Sequence, residues 1–290
     1  MKIQLFTLLG LSLLLSGCAK NTNQGKKEVI DPESNLIEAI TPTSQDHEWA
    51  KNWWLPRHEA KLKRIKNGDV DLLMIGDSIT HGWEGRPKNP KDSKGGKEVW
   101  DRYYGHRKAM NLGYGGDRTQ NVLWRLQNGE VDGIAPKLAV IMIGTNNTSG
   151  LEPAKHTALG IKHIVRELQT RVPEMKILLL AIFPRGIGPD DAKRQRNNEV
   201  NGIISGYADN EIVFFLNINE HFLDGERTLL IEAMPDLLHP NQKGYQIWAE
   251  AMEPKVAELL RDEAVQAEED CESERGNNEK GTKFCRSSGY

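Results

Sequence analysis

A serine at position 78 stands between an acid and the end of an apolar run, in Gly76-Asp77-Ser78-Ile79-Thr80. A serine hydroxyl becomes a useful nucleophile when an imidazole takes its proton and a carboxylate orients that imidazole. The sequence supplies both groups far downstream, in Asp236-Leu237-Leu238-His239-Pro240. Two more segments, Gly113-Tyr114-Gly115-Gly116-Asp117 and Gly144-Thr145-Asn146-Asn147, bring backbone N–H groups and side-chain amides of the kind that stabilise an oxyanion. Together these are the parts for acyl transfer. Each segment has a bland alternative: Asp236 as a loop cap, His239 as a residue flanking a helix, Asn146 as a turn residue, and the Gly113–Gly116 stretch as a phosphate-cradling nest.

The parts acquire meaning from the elements that carry them. Apolar runs rich in branched residues occur at Val70 to Ile75, Ala109 to Leu112, Leu138 to Ile143, Ile177 to Phe183 and Ile212 to Leu216. Without strict alternation, they predict strands buried on both faces. Between them, apolar residues at helical spacing (Val122, Leu123 and Leu126; Ile161, Ile164, Val165 and Leu168; Val200, Ile203 and Ile204) predict helices, with a last one over about Gln242 to Leu260. Alternating strands and helices with right-handed crossovers predict an α/β protein, a three-layer α/β/α sandwich around a five-stranded parallel sheet. Three of the chemical segments directly follow strands, and the fourth lies between the last strand and the last helix. All four then meet at the carboxyl edge of the sheet, where such folds keep their sites.

These four segments resemble the blocks of the SGNH hydrolases, the GDSL esterase/lipase family, over roughly residues 69–260. The stretches Asn111 to Asp117 and Thr119 to Leu126, with Gly144-Thr145-Asn146-Asn147 and Phe183-Pro184-Arg185-Gly186, are similar in particular to the branch of the platelet-activating-factor acetylhydrolase catalytic subunits. The resemblance implies a flavodoxin-like fold and a serine esterase. It makes Ser78 the nucleophile, His239 the general base and Asp236 its orienting partner. Its oxyanion hole comprises the backbone N–H groups of Ser78 and Gly116 and the amide of Asn146. Many relatives carry Asp where Asn147 stands, and the acetylhydrolase-like branch shares the Asn. Attachment to a cell envelope and the short acyl groups favoured by that branch point to a carbohydrate O-acetyl esterase. The alternatives are a lysophospholipase or phospholipid acetylhydrolase and, in another class, a non-catalytic glycan-binding lipoprotein.

Composition bounds the rest. A formal net charge of -3 over 290 residues offers no basic field for nucleic acid. The histidines show no His-Glu-x-x-His spacing, so neither a metal site nor a cofactor is expected. Residues 1–17 have the form of a secretory signal, and Leu15-Ser16-Gly17-Cys18 resembles a lipoprotein cleavage box, which makes Cys18 the lipidated residue and the membrane a partner. The polar stretch 18–44 is expected to be a tether, 45–260 the hydrolase domain, and 261–290 a charged tail whose Cys271 and Cys285 could pair in an exported protein. Trp49, Trp53 and Trp54 fit a helix face packed on the domain, with a sugar platform as the alternative, and Lys61 to Lys66 fit that helix's solvated side. The loop Glu84 to Lys97 holds five basic residues against Glu84 and Asp92; it is either a solubilising insertion or a cationic rim that attracts anionic substrates.

Overall fold

The computed structural model of the chain describes residues 37–85, 95–150 and 152–266. Cys18, where lipidation is expected, Cys271 and Cys285, which could pair, and most of the basic loop lie outside the described residues. Five parallel strands form one sheet: β1 Leu72–Gly76, β2 Ala109–Gly113, β3 Leu138–Met142, β4 Lys176–Leu180 and β5 Val213–Leu216. Their order is β2-β1-β3-β4-β5, with Gly76 of β1 level with Gly113 of β2 and Met142 of β3. The order reverses beside β1, between β2 and β3, and a crevice opens at such a point beyond the carboxyl ends of the strands.

Both faces of the sheet are covered, which explains the unbroken apolar runs. Leu73, Ile75, Ile141 and Leu179 point into one layer, against α1 (Trp54–Ile65), α4 (Thr119–Gln127), α6 (Ala154–Arg171) and α7 (Ala192–Ile204). Leu72, Met74, Val140 and Leu178 point into the other, against α3 (Lys97–Tyr103) and α8 (Gln242–Leu260). Two short helices, α2 (Ser78–His81) and α5 (Thr145–Ser149), begin directly behind β1 and β3.

The ordered fold reaches beyond the expected limits of the domain at both ends. Ala39 is buried, its carbonyl accepts from Thr119 Oγ1 at 2.8 Å, and Thr43 N donates to Gln120 O. Residues 37–44 therefore pack on α4 instead of serving as tether. Past α8, Asp262 binds the buried Arg107 guanidinium through two bonds of 2.9 Å, and Val265 N donates to Glu253 Oε1, itself paired with Arg107. The strands are shorter than the apolar runs: Val70, Ile182 and Phe183 are buried without belonging to the ladder, because burial continues where strand pairing has ended.

Candidate active site

The turn after β1 is built for close approach. A Cβ on Gly76 would stand 2.2 Å from Thr80 Oγ1 and 2.5 Å from the Met142 carbonyl, so only glycine lets α2 start there. Asp77 caps α2 by accepting from Ile79 N at 2.9 Å, which leaves Ser78 as the first helical residue, half-buried at the crevice. Asp77 itself is buried. That burial raises its pKa to about 6, against the opposing effects of the Ile79 N–H and the nearby His239 and Arg185.

The segment before α8 delivers the other two groups. Ser78 Oγ lies 2.9 Å from His239 Nε2, and His239 Nδ1 lies 2.7 Å from Asp236 Oδ2. The other carboxylate oxygen accepts from the backbone N–H groups of Leu238 and His239, at 3.1 and 2.6 Å. One carboxylate thus fixes both the imidazole and its own loop. Partial burial works to raise the Asp236 pKa, but these bonds and the imidazole hold it well below the usual carboxylate range. Leu237 turns the loop with φ of 62°, and its carbonyl accepts from Gly186 N. Asn241 caps α8, whose Tyr245 OH donates to Ile79 O at 2.7 Å, tying the histidine-bearing segment to the serine-bearing helix.

The turns after β2 and β3 complete the crevice. Gly116 has φ of 77°, and a Cβ there would meet the Trp49 ring at 2.2 Å. Asn146 Nδ2 donates one hydrogen to the Asp117 carbonyl at 2.9 Å, which orients the amide and leaves its second N–H to another acceptor. Asn147 is fully buried: its Oδ1 accepts from Thr119 N, and its Nδ2 donates to Gln120 Oε1 and Glu152 Oε2. It pins α5 to α4, a different task from that of its neighbour. The arrangement offers an activated hydroxyl flanked by oriented donors, the requirements for attack on an ester carbonyl.

Several supporting residues went unassigned in the sequence. Asn111 accepts from Gly113 N and donates to Thr80 O, joining the β1 and β2 turns. His81 Nδ1 accepts from Gly115 N at 3.3 Å. Arg185 donates to Thr145 O and Oγ1 and to Ser149 Oγ, bracing α5. Behind the Gly116 turn, Arg125 bonds Asp117 at 2.9 Å and also Glu130, while Trp54 Nε1 donates to Asp117 at 2.6 Å, all fully buried. Burial raises the Asp117 pKa to about 7 despite Arg125, whereas at Glu130 burial is the largest single effect but Arg125, His58 and Tyr114 together outweigh it and lower the pKa. The signal for Arg125 and Asn111 was their place inside the family-like stretches; nothing in their spacing gave the pairing.

The tryptophans divide, contrary to the expectation of one packed helix face. Trp54 begins α1 and is wholly buried, Trp53 is half-buried and Trp49 is exposed. Lys61 is likewise drawn inward: it and Arg57 both pair with Glu84 at 2.6 Å. A cleft of about 930 Å³ opens above Ser78 and His239, walled by His81 and by Trp53, Arg57 and Lys61. A smaller depression of about 350 Å³, lined by Asn198, Asn219 and Glu220, includes none of the triad-like residues. Among the described residues no cluster of three or more His, Cys, Asp or Glu side chains could hold a metal ion.

Comparison with known proteins agrees with this architecture. The family model described as GDSL-like Lipase/Acylhydrolase matches residues 74–247. The platelet-activating factor acetylhydrolase IB subunit alpha2 of Rattus norvegicus is 31% identical over 72% of this chain and 86% of its own length. The alpha1 subunit of Homo sapiens is 30% identical over 77% of this chain and 90% of its own. Among solved structures, a GDSL-like lipase from Bacteroides thetaiotaomicron superposes with a TM-score of 0.55 at 20% identity, covering 70% of this chain and 97% of that one. A mutant of an acetyl-xylooligosaccharide esterase from Geobacillus stearothermophilus gives 0.52 at 20% identity, covering 69% and 98%.

Proposed function

The chain belongs to the GDSL-like lipase/acylhydrolase family, and from that premise we propose that it hydrolyses acetyl and other short-chain esters carried on carbohydrate, with Ser78 as nucleophile. The Ser78–His239–Asp236 chain of hydrogen bonds carries the assignment of roles. As Ser78 Oγ attacks the ester carbonyl, its proton passes to His239 Nε2, and Asp236 stabilises the imidazolium through Nδ1–H. The carbonyl oxygen becomes an oxyanion facing the N–H groups of Ser78 and Gly116 and the free N–H of Asn146, each donor contributing on the order of 3 kcal/mol. Collapse breaks the ester C–O bond, and the departing alkoxide takes the proton from His239. Water then gives a proton to His239 and its hydroxyl to the acyl-enzyme, and a second collapse returns the proton to Ser78 and releases the carboxylic acid, which loses its proton to solvent.

The cleft lining supports the substrate class. Around Ser78 it presents the polar heads of Asn52, Arg57, Lys61 and Arg64 beside the rings of Trp53 and His81 and the apolar surfaces of Pro56 and Ala60. That mixture suits a sugar carrier, whose hydroxyls can bond the polar heads while its C–H faces meet the apolar surface. The fold of the acetyl-xylooligosaccharide esterase is compatible with the same reading. A second reading, phospholipid acetyl hydrolysis, is favoured by the identity to the platelet-activating factor acetylhydrolase subunits. Turnover of acetylated xylan against an acetyl-bearing phospholipid decides between them, with p-nitrophenyl acetate, octanoate and decanoate and a lysophospholipid in parallel to read acyl length. The carbohydrate reading expects acetate to lead the nitrophenyl series and acetylated xylan to release acetate faster than the phospholipid does; release from the acetyl phospholipid alone, or preference for decanoate and the lysophospholipid, would sink it.

A further inference from the structure

A row of aromatic side chains leads outward from the reaction centre. His81 and Trp53 both line the cleft beside Ser78 and His239, with ring centroids 5.6 Å apart. Trp49 follows at 6.0 Å from Trp53, and His47 stacks on Trp49 at 6.0 Å with planes 19° apart. The row is held in place. Trp53 Nε1 donates to the Trp49 carbonyl at 3.0 Å, the far edge of the Trp53 ring lies 3.5 Å from where a Gly115 Cβ would be, and the Trp49 ring covers Gly116.

Core packing accounts for Trp54 and for one side of Trp53, which packs against the Ala50–Trp54–Tyr114 cluster, but not for Trp49. Trp54 spends its N–H on Asp117 and is wholly buried, whereas Trp49, only five positions away, remains 54% exposed. A single exposed ring is ordinary on a protein surface. A fixed, continuous row that reaches the nucleophile's cleft is a surface prepared for a ligand, because its rings need no ordering when one arrives.

The neighbouring charges select the ligand. A quaternary ammonium headgroup would be attracted to the ring faces, but Arg57, Lys61 and Arg64 line the same cleft, and Glu84 is the acid paired with the first two. That excess of cations disfavours choline. A pyranose instead offers apolar C–H faces for the rings and a rim of hydroxyls for Asn52, Arg57 and Lys61. We propose that Trp49 and Trp53 form a stacking platform for the sugar rings next to the acetylated residue, a glycan subsite that sets the approach of the ester to Ser78. The inference rests on the carbohydrate reading above and extends it from the ester to the chain that carries it.

Binding without turnover tests the platform separately from that reading. The Ser78→Ala protein, full length, is titrated with unacetylated xylo-, manno-, chito- and galacturono-oligosaccharides while tryptophan fluorescence and calorimetry are followed. At least one series should bind and alter the fluorescence. Adding Trp53→Ala or Trp49→Ala should weaken that affinity by about tenfold, the scale of one aromatic contact, and Trp53→Phe should restore most of it. On the Ser78-containing enzyme, the same alanine changes should lower kcat/KM for an acetylated oligosaccharide of that series relative to p-nitrophenyl acetate, mainly through KM. No binding by any series, or equal affinity with and without the two rings, overturns the platform. Failure of the parent enzyme to release acetate from acetylated glycans, with ring-dependent binding intact, overturns only the carbohydrate ester reading.

Discussion

At the scale of single residues, the assignments make separable predictions. Ser78→Ala should reduce hydrolysis of p-nitrophenyl acetate by about 10⁴-fold or more with the circular dichroism unchanged, and His239→Ala should be nearly as damaging because the two act as a unit. Retention of the parental rate by the Ser78→Ala protein would show the nucleophile to be elsewhere. Asn146→Ala should lower kcat by roughly 10²-fold to 10³-fold with little change in KM, since its second N–H is engaged chiefly when the oxyanion forms. A raised KM at constant kcat would mark it as a ground-state binding group. These residues were legible in the sequence because each follows a recognisable strand or sits three positions from its partner. The supporting contacts were not: Asn111 to Thr80 and Tyr245 to Ile79 join segments that no local spacing relates.

Elements set where those residues stand, and two buried charges test how. Asp77 caps α2 from inside the protein, with its folded pKa raised from 3.8 to about 6. The folded state therefore binds a proton more tightly than the unfolded chain, so this group's contribution to stability is greatest below pH 3.8 and declines as pH rises to about 6. Asp77→Asn keeps an acceptor for Ile79 N without the charge. Relative to the parent it should gain stability between those pH values and hold the gain above them, as read by urea midpoints from pH 4 to 8. A constant difference across that range would rule out the ionisation as the cause. Arg125 poses the opposite case, since Arg125→Met strands Asp117 and Glu130 without their cation. Removing one partner of a buried pair costs about 3–5 kcal/mol, or roughly 10 °C in Tm for a protein of this size. Because the Asp117 carbonyl orients Asn146, the folded fraction should also lose kcat more than it raises KM. A variant with unaltered Tm would make the network dispensable. The strands themselves were legible as apolar runs because helices cover both faces of the sheet. Their ends were not, since Val70 and Phe183 are as buried as residues within the ladder. The tryptophans were misjudged for a related reason: periodicity locates a helix face but cannot say which ring meets the core and which meets a cleft.

At the scale of the whole molecule, the question is where the chemistry takes place. We propose that the chain is exported and anchored to a membrane by lipid on Cys18, a reading that rests on the apolar segment and on Leu15-Ser16-Gly17-Cys18. Among the described residues no helix is long and apolar enough to cross a membrane. The first described residue, Ile37, lies nineteen positions after Cys18 (37 minus 18). At the maximal extension of about 3.3–3.6 Å per residue, that stretch reaches at most about 68 Å. The enzyme would then work on esters close to the membrane surface, and a polymeric substrate would have to come within that radius. Buried acyl chains contribute about 0.8 kcal/mol per CH₂ to anchoring, so Cys18→Ser should move the protein from the membrane fraction to the soluble fraction. Its kcat on p-nitrophenyl acetate should not change, because Cys18 is remote in sequence from every group of the site. Fractionation with anti-tag detection, beside an assay of each fraction, reads both effects. A Cys18→Ser protein that stays with the membrane would place the attachment in some other part of the chain.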